Sequence, residues 1–384
     1  MSRAWVAVGV LALPWAAGGV DGWSVRASFA QEATPAQQIW TVPEIGALPN
    51  NDYGRLVRRG RDLITATYAH IGPEVPDRAK RFAGNNLACG NCYLQAGTKK
   101  FGIPLFGLLE KYPRYSARSG SPITIEDRFN ACMTRSMNGR PLPVSSPEMK
   151  AMVAYIKFLS TGVSPGQLVP GLGTGNMPEL DRPADPARGE AGYANACVVC
   201  HGPDGAGIRR SLPTTDLGYM MPPLWGNDSF NDGAGMARLI TAANFLHFNM
   251  PHGVDYLNPQ LSPEQAWDIA AYVVSRPRPH KAGLEKDFPD LLEKPVDAPY
   301  GPYADALASS STNTGRSRRF APPSRSSRRN RRARLRRADA VRRVAAPHAV
   351  SVFTLVAWLR SYPRSVRLRP VHRGPSRREC RSAR

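Results

Sequence analysis

The chain has 384 residues, 42% hydrophobic and 21% charged, which leaves room for two or three packed domains. Its net charge of +21 sits at one end: 22 of the 51 Lys and Arg, but only 2 of the 30 Asp and Glu, lie from Ala308 onward. Residues 1–307 therefore carry 29 basic and 28 acidic side chains, and this near-neutral body excludes nucleic-acid binding on grounds of charge, except by the tail.

Residues 1–30 read as an export signal. Arg3 precedes an apolar stretch over 4–20, and Ser28-Phe29-Ala30 offers a small-x-small cleavage site before Gln31. A membrane anchor is the competing reading, but Pro14 and several glycines interrupt the stretch, which falls short of the ~20 residues a span needs. The expectation is a periplasmic protein with no transmembrane segment after cleavage.

Residues 31–162 form the first expected domain. A helix over 51–70 presents Leu56, Leu63, Ile64 and Thr67 on one face, and Cys89-Gly90-Asn91-Cys92-Tyr93 follows. The domain closes on a helix opened by Ser146-Pro147, a good N-cap followed by proline at the first helical position. Met149, Met152, Val153, Ile156 and Leu159 fall on its inner face. Residues 163–186, rich in Gly and Pro, read as a linker.

Residues 187–307 repeat the plan. A short helix over 188–196 leads to Cys197-Val198-Val199-Cys200-His201. The closing helix starts at Ser262-Pro263, with Gln265 completing a capping box and Ala266, Ile269, Ala270 and Val273 facing inward. A Pro-rich stretch over 277–307 wraps the surface. Residues 308–384 read as a disordered basic tail or the product of a shifted reading frame. The fold class is mainly α: two cytochrome c-like domains in tandem with long irregular loops.

The string Cys-x-x-Cys-His after an export signal points to covalently attached haem c, with thioether bonds to Cys197 and Cys200 and His201 as the iron's proximal ligand. A disulfide framework or a zinc site built from both Cys pairs is the weaker reading. Met250, just before the closing helix, is the best-placed distal ligand, with Met220, Met221, His247 and His252 as rivals. In the first half Cys89 and Cys92 can still anchor haem. There Tyr93 stands where the histidine belongs and could bind ferric iron as phenolate. His70 could substitute for it, or this haem could be absent. Cys132, Met133 and Met137 occupy the segment corresponding to Met250. Lys99, Lys100, Arg114, Arg118, Arg128, Arg135 and Arg140 cluster around this first motif and suggest an anionic ligand.

Three strings carry a family resemblance: Asn85-Asn86-Leu87-Ala88-Cys89-Gly90-Asn91-Cys92, Tyr112-Pro113-Arg114-Tyr115-Ser116-Ala117-Arg118-Ser119-Gly120, and the run from Cys132-Met133-Thr134-Arg135-Ser136 to Pro143. With Pro222-Pro223-Leu224-Trp225-Gly226 and Asn249-Met250-Pro251, they resemble the dihaem c-type thiosulfate dehydrogenases over about residues 40–303. The resemblance implies a periplasmic enzyme that couples two thiosulfates into tetrathionate and passes electrons to a separate c-type cytochrome. It implies that the first haem is catalytic, with Cys132 as one axial ligand and Arg118, Arg135 and Ser136 around the substrate. It also implies Met250 as a distal ligand of the second haem. The family has histidine at the position of Tyr93. An electron carrier that has lost catalysis is the alternative this departure favours.

Overall fold

The computed structural model describes residues 41–167, 169–210 and 218–304; the expected export signal and the basic tail from 308 lie outside the described residues. Nine α-helical segments carry the fold among the described residues. They are α1 (Asp52–Thr65), α2 (Thr67–Ile71), the one-turn α3 (Leu94–Gly97), α4 (Ile125–Arg135), α5 (Pro147–Leu159), α6 (Pro186–Ala196), the one-turn α7 (Val198–His201), α8 (Leu239–Asn249) and α9 (Pro263–Ser275). Two antiparallel ribbons complete it: β1 (Arg114–Ser116) with β2 (Ser121–Ile123), and β3 (Ile208–Arg209) with β4 (Tyr219–Met221).

The helix expected over 51–70 is two helices. Asn51 caps α1 by accepting from the Gly54 amide, and the chain breaks at Ala66 (φ −135°, ψ 45°). The Thr67 hydroxyl turns back to Leu63 O (2.6 Å) and accepts from the Cys89 amide (2.9 Å), so a tertiary partner decides where α1 ends. The buried face of α1 is Gly54, Val57, Gly60, Leu63 and Ile64, whereas Leu56 is exposed. Both closing helices begin as the caps require: Ser146 accepts from the Met149 amide, and Ser262 shares a capping box with Gln265.

Each half rests on one helix crossing. In the first, α1 packs on α5; in the second, α6 and α8 pack on α9. Both crossings need glycine. A Cβ on Gly60 would lie 2.0 Å from Ala151 O, and a Cβ on Gly189 would lie 1.9 Å from Asp268 O. Helices meeting this closely bury Met149, Met152, Ile156 and Leu159 in the first half. In the second they bury Leu239, Ala243, Ala266, Ile269 and Ala270. The Arg182 guanidinium grips Asp268 with two hydrogen bonds (2.8 and 2.7 Å), fastening the linker to the second crossing.

The halves form one body. Asn85 Nδ2 donates to Ser136 O and Ser229 O, Asn138 Nδ2 to Ser229 O (2.6 Å), and Asn231 Nδ2 to Thr134 O (3.1 Å). Residues 277–304 leave α9 and run back over the first half as a strap. Asp297 holds it at one point, accepting from Arg238 (2.8 and 2.5 Å) and from the Ile240 amide (2.9 Å). The Phe288 amide, donating to Arg118 O (2.8 Å), holds it at another. Among the described residues, no helix is long and apolar enough to cross a membrane.

Gly60→Ala and Gly189→Ala will each cost about 1–3 kcal/mol, because a methyl group must displace a backbone carbonyl in a packed crossing. Denaturant midpoints at unchanged m-value, against Gly46→Ala in open space as control, measure this.

Candidate active site

Helix α4 organises the first site. Thr124 caps it reciprocally with Asp127, and the helical spacing places Arg128, Cys132 and Arg135 along one side. Arg128 Nη1 donates to Cys132 Sγ (2.6 Å) and Arg128 Nη2 to Tyr93 Oη (3.1 Å). Tyr93 Oη and Cys132 Sγ are themselves 3.2 Å apart, so the three side chains close a triangle. A guanidinium only donates. The phenol oxygen and the sulfur therefore both accept from Arg128, and either of them can donate to the other.

Around the triangle the walls are apolar: Ile64, Leu105, Leu108, Ile125, Phe129 and Ile156, with Cys89 on the same cavity. Burial pushes the Cys89 and Cys92 thiols up to about 12 and raises the Tyr93 phenol well above its ordinary value, with Arg128 opposing in part. The Cys132 sulfur, then Tyr93, raise the Arg128 guanidinium above its ordinary value. Gln95, Ala96 and Gly97, just after the motif, all take left-handed φ (53°, 56° and 84°). The Tyr155 hydroxyl donates to Ala96 O (2.8 Å) and helps hold this strained turn.

Beside the triangle lies a second pair of cations. Arg118 and Arg135 both donate to Gly233 O (3.1 and 3.3 Å). Burial, then the neighbouring Arg135 charge, lower the Arg118 guanidinium. The strap supplies the balancing carboxylate: Asp287 accepts from Arg135 (2.8 Å) and from the Tyr300 hydroxyl (2.7 Å). Lys294 is buried over the Tyr300 ring, 4.5 Å from its centroid. Composition gave no sign of this, because a Pro-rich connection carries no periodicity that would mark Asp287, Lys294 or Tyr300.

In the second half, α6 and α7 carry the motif. The Tyr193 hydroxyl donates to Gly202 O (2.6 Å), and its ring packs with Trp225 and Tyr272 at centroid distances of 5.1 and 5.4 Å. His201 Nδ1 lies 2.8 Å from Pro222 O. A carbonyl only accepts, so Nδ1 carries the proton and Nε2 keeps its lone pair. Burial lowers His201, against the pull of the Pro222 hydrogen bond, and this favours the neutral imidazole that metals bind. Met250 follows α8 directly and is half-buried. Among its rivals, Met220 and His252 are exposed, Met221 is half-buried, and His247 spends Nδ1 on Leu261 O (2.8 Å).

The structure brings Cys89, Tyr93, Arg128 and Cys132 together, with Arg118 and Arg135 close to Gly233. Ser136 caps α4, and its carbonyl accepts from Asn85 Nδ2. Met133 and Met137 are core residues. His70 does not line the Cys132 cavity; its Nδ1 accepts from Arg59 (2.9 Å). Chemically, the second donor set fits haem c: two thiols for thioether bonds and a neutral imidazole with a free lone pair. In the first set two thiols fit attachment and Cys132 offers sulfur to iron, while Tyr93 Oη is spent on that sulfur.

Paired motifs in twin helical frames define a tandem c-type cytochrome. Residues 79–164 match the SoxA/TsdA cytochrome c domain and residues 186–277 the cytochrome c domain. The chain is 41% identical over 249 residues to the thiosulfate dehydrogenase of Allochromatium vinosum, covering 64% of this chain and 86% of that protein. It is 35% identical over 265 residues to the thiosulfate dehydrogenase of Thiomonas intermedia, covering 67% and 79%. Thiosulfate dehydrogenase TsdBA of Marichromatium purpuratum, in its as-isolated form, superposes with a TM-score of 0.57 at 31% identity, over 64% of this chain and 50% of that one. The chain belongs to the thiosulfate dehydrogenase family, and haem c is its cofactor.

Asp287→Ala strips the carboxylate from the half-buried Arg135 and should cost up to about 3 kcal/mol, whereas Asp287→Asn, which keeps an acceptor oxygen, should cost less. Urea unfolding of the haem-loaded protein distinguishes the two.

Proposed function

We propose that this chain is a periplasmic thiosulfate dehydrogenase: two thiosulfate dianions are joined into one tetrathionate dianion, and two electrons leave to a c-type cytochrome. The observation that carries this reading is a cluster of guanidiniums around Cys132: Arg128 lines its cavity and donates to its sulfur, while Arg118 and Arg135 meet at Gly233 O, with Arg118 within electrostatic reach of Arg128. Two dianions repel each other, and fixed cations in a poorly solvated pocket offset that repulsion where bulk water cannot. Guanidinium groups match the oxygens of a sulfonate end, leaving the outer sulfur free to turn toward Cys132.

In this reading Arg118 and Arg135 bind and orient the oxyanion ends, with Ser136 beside them. Asp287 and Gly233 O hold the two guanidiniums in place. Cys132 is the sulfur that meets substrate sulfur, positioned by Arg128. Haem c, when attached through Cys89 and Cys92 and through Cys197 and Cys200, supplies stepwise one-electron acceptance. His201 and Met250 would hold the second iron, and the Pro222 hydrogen bond keeps His201 in the tautomer this needs.

The test pairs a covalent haem count with thiosulfate-dependent reduction of ferricyanide by the same preparation. Two haems per chain with turnover is the expected result, and two haems with no thiosulfate-dependent reduction would sink the reading. Arg118→Ala should lower kcat/KM for thiosulfate by about 10²–10³-fold, the size of effect seen when one preorganised charge-stabilising donor is removed.

A further inference from the structure

The strap is fastened to the second half at two points. Asp232 accepts from the Lys281 amide (3.0 Å) and lies 2.6 Å from His280 Nδ1, and Asp297 accepts from Arg238 and from the Ile240 amide. Between these anchors the strap lies on the arginines of the first half. Asp287 Oδ1 accepts from Arg135 Nη2 (2.8 Å), the Phe288 amide donates to Arg118 O (2.8 Å), and the Phe288 ring centre is 5.6 Å from the Arg118 guanidinium. Phe288 takes a left-handed φ of 59°, a strained conformation for a bulky side chain that these contacts hold in place.

Asp287 brings one negative charge to two guanidiniums, because the partner that Arg118 and Arg135 share is a neutral carbonyl, Gly233 O. Its other oxygen accepts from Tyr300 (2.7 Å), itself a strap residue. The carboxylate is also within electrostatic reach of Lys294, whose ammonium is lowered by burial, with Asp287 opposing. Off Arg135, Asp287 therefore keeps a hydrogen bond and a buried cation on the strap itself. A dianion in its place sets two charges against the two guanidiniums, where the carboxylate sets one.

We propose that residues 282–296 are a lid that carries its own anion: Asp287 holds Arg135 in position in the resting protein, and a divalent oxyanion enters by displacing that carboxylate toward Lys294 and Tyr300. Asp287 is thereby a specificity-determining residue, because a monovalent anion gains no charge balance by the exchange. Thiosulfate as the natural oxyanion rests on the proposed function; the lid does not.

Hydrogen–deuterium exchange of the full haem-loaded chain tests this, with sodium thiosulfate and sodium sulfate each compared with sodium chloride at equal ionic strength. Sulfate has the charge and the oxygens but no outer sulfur to couple. Peptides over 284–293 should exchange faster with either divalent anion than with chloride, while peptides over α9 stay unchanged. By calorimetry, Asp287→Asn should bind sulfate about tenfold more tightly than the wild type, since no charge-assisted bond to Arg135 has to be broken first. A carboxylate that only held Arg135 in place would give the opposite result, weaker binding in the variant. Exchange over 284–293 that neither divalent anion speeds, equal opening by chloride, or sulfate binding that is unchanged or weaker in Asp287→Asn would each overturn the proposal. If the variant fails to fold, exchange in the wild type decides. A chain whose lid opens to sulfate but which does not reduce ferricyanide with thiosulfate refutes the proposed function and leaves the lid standing.

Discussion

Buried positive charge is the constraint around which the first half is built. Arg118, Arg128 and Arg135 share a poorly solvated region in which burial and the charges of Arg135 and Arg128 disfavour the Arg118 cation. Such a cluster persists only if every guanidinium is satisfied, and each one is: Arg128 by a sulfur and a phenol, Arg118 by Gly233 O, and Arg135 by Gly233 O and Asp287. Two of these partners come from beyond the first domain. Gly233 belongs to the second half and Asp287 to the strap, so the cationic cluster exists only when the whole body is assembled. The interdomain hydrogen bonds of Asn85 and Asn138 to Ser229 O and of Asn231 to Thr134 O hold the frame that brings those partners into range.

The twin halves show how much of a site can change while its frame stays fixed. Both use a glycine that lets one helix rest on the backbone of another, and both close on a helix with a Ser-Pro start. The frame buries enough apolar surface on either side of the motif to fold around a macrocycle. Yet one motif ends in a neutral imidazole held by Pro222 O and the other in a phenol held by Arg128. Neither side chain takes part in the helix crossing of its half.

What could be read in the sequence was local. The closing helices were legible because a Ser-Pro cap and an apolar stripe lie within a few residues of one another. The tandem plan was legible because it repeats. The break between α1 and α2 was not, because its cause is the hydrogen bond from the Cys89 amide to Thr67, 22 residues away. Nor was the buried face of α1, since Gly60 selects it through Ala151 and leaves Leu56 outside. In the site, the cysteines and arginines of α4 stood out by type and spacing. Asp287 did not, because 152 residues separate it from Arg135. Long-range charge balance leaves no periodic trace in a chain.

The same distinction explains why Tyr93 could be located but not interpreted from sequence. Its place after the second cysteine marks it as a candidate iron ligand, and a phenol can serve that role. What a phenol does depends on which partner its proton finds. Here a guanidinium four residues before Cys132 reaches both the oxygen and the sulfur and donates to each. Histidine at position 93 would present a ring nitrogen and no hydroxyl. The substitution therefore does more than remove a ligand. It joins the motif to α4 through hydrogen bonds with Arg128 and Cys132 that the second half lacks.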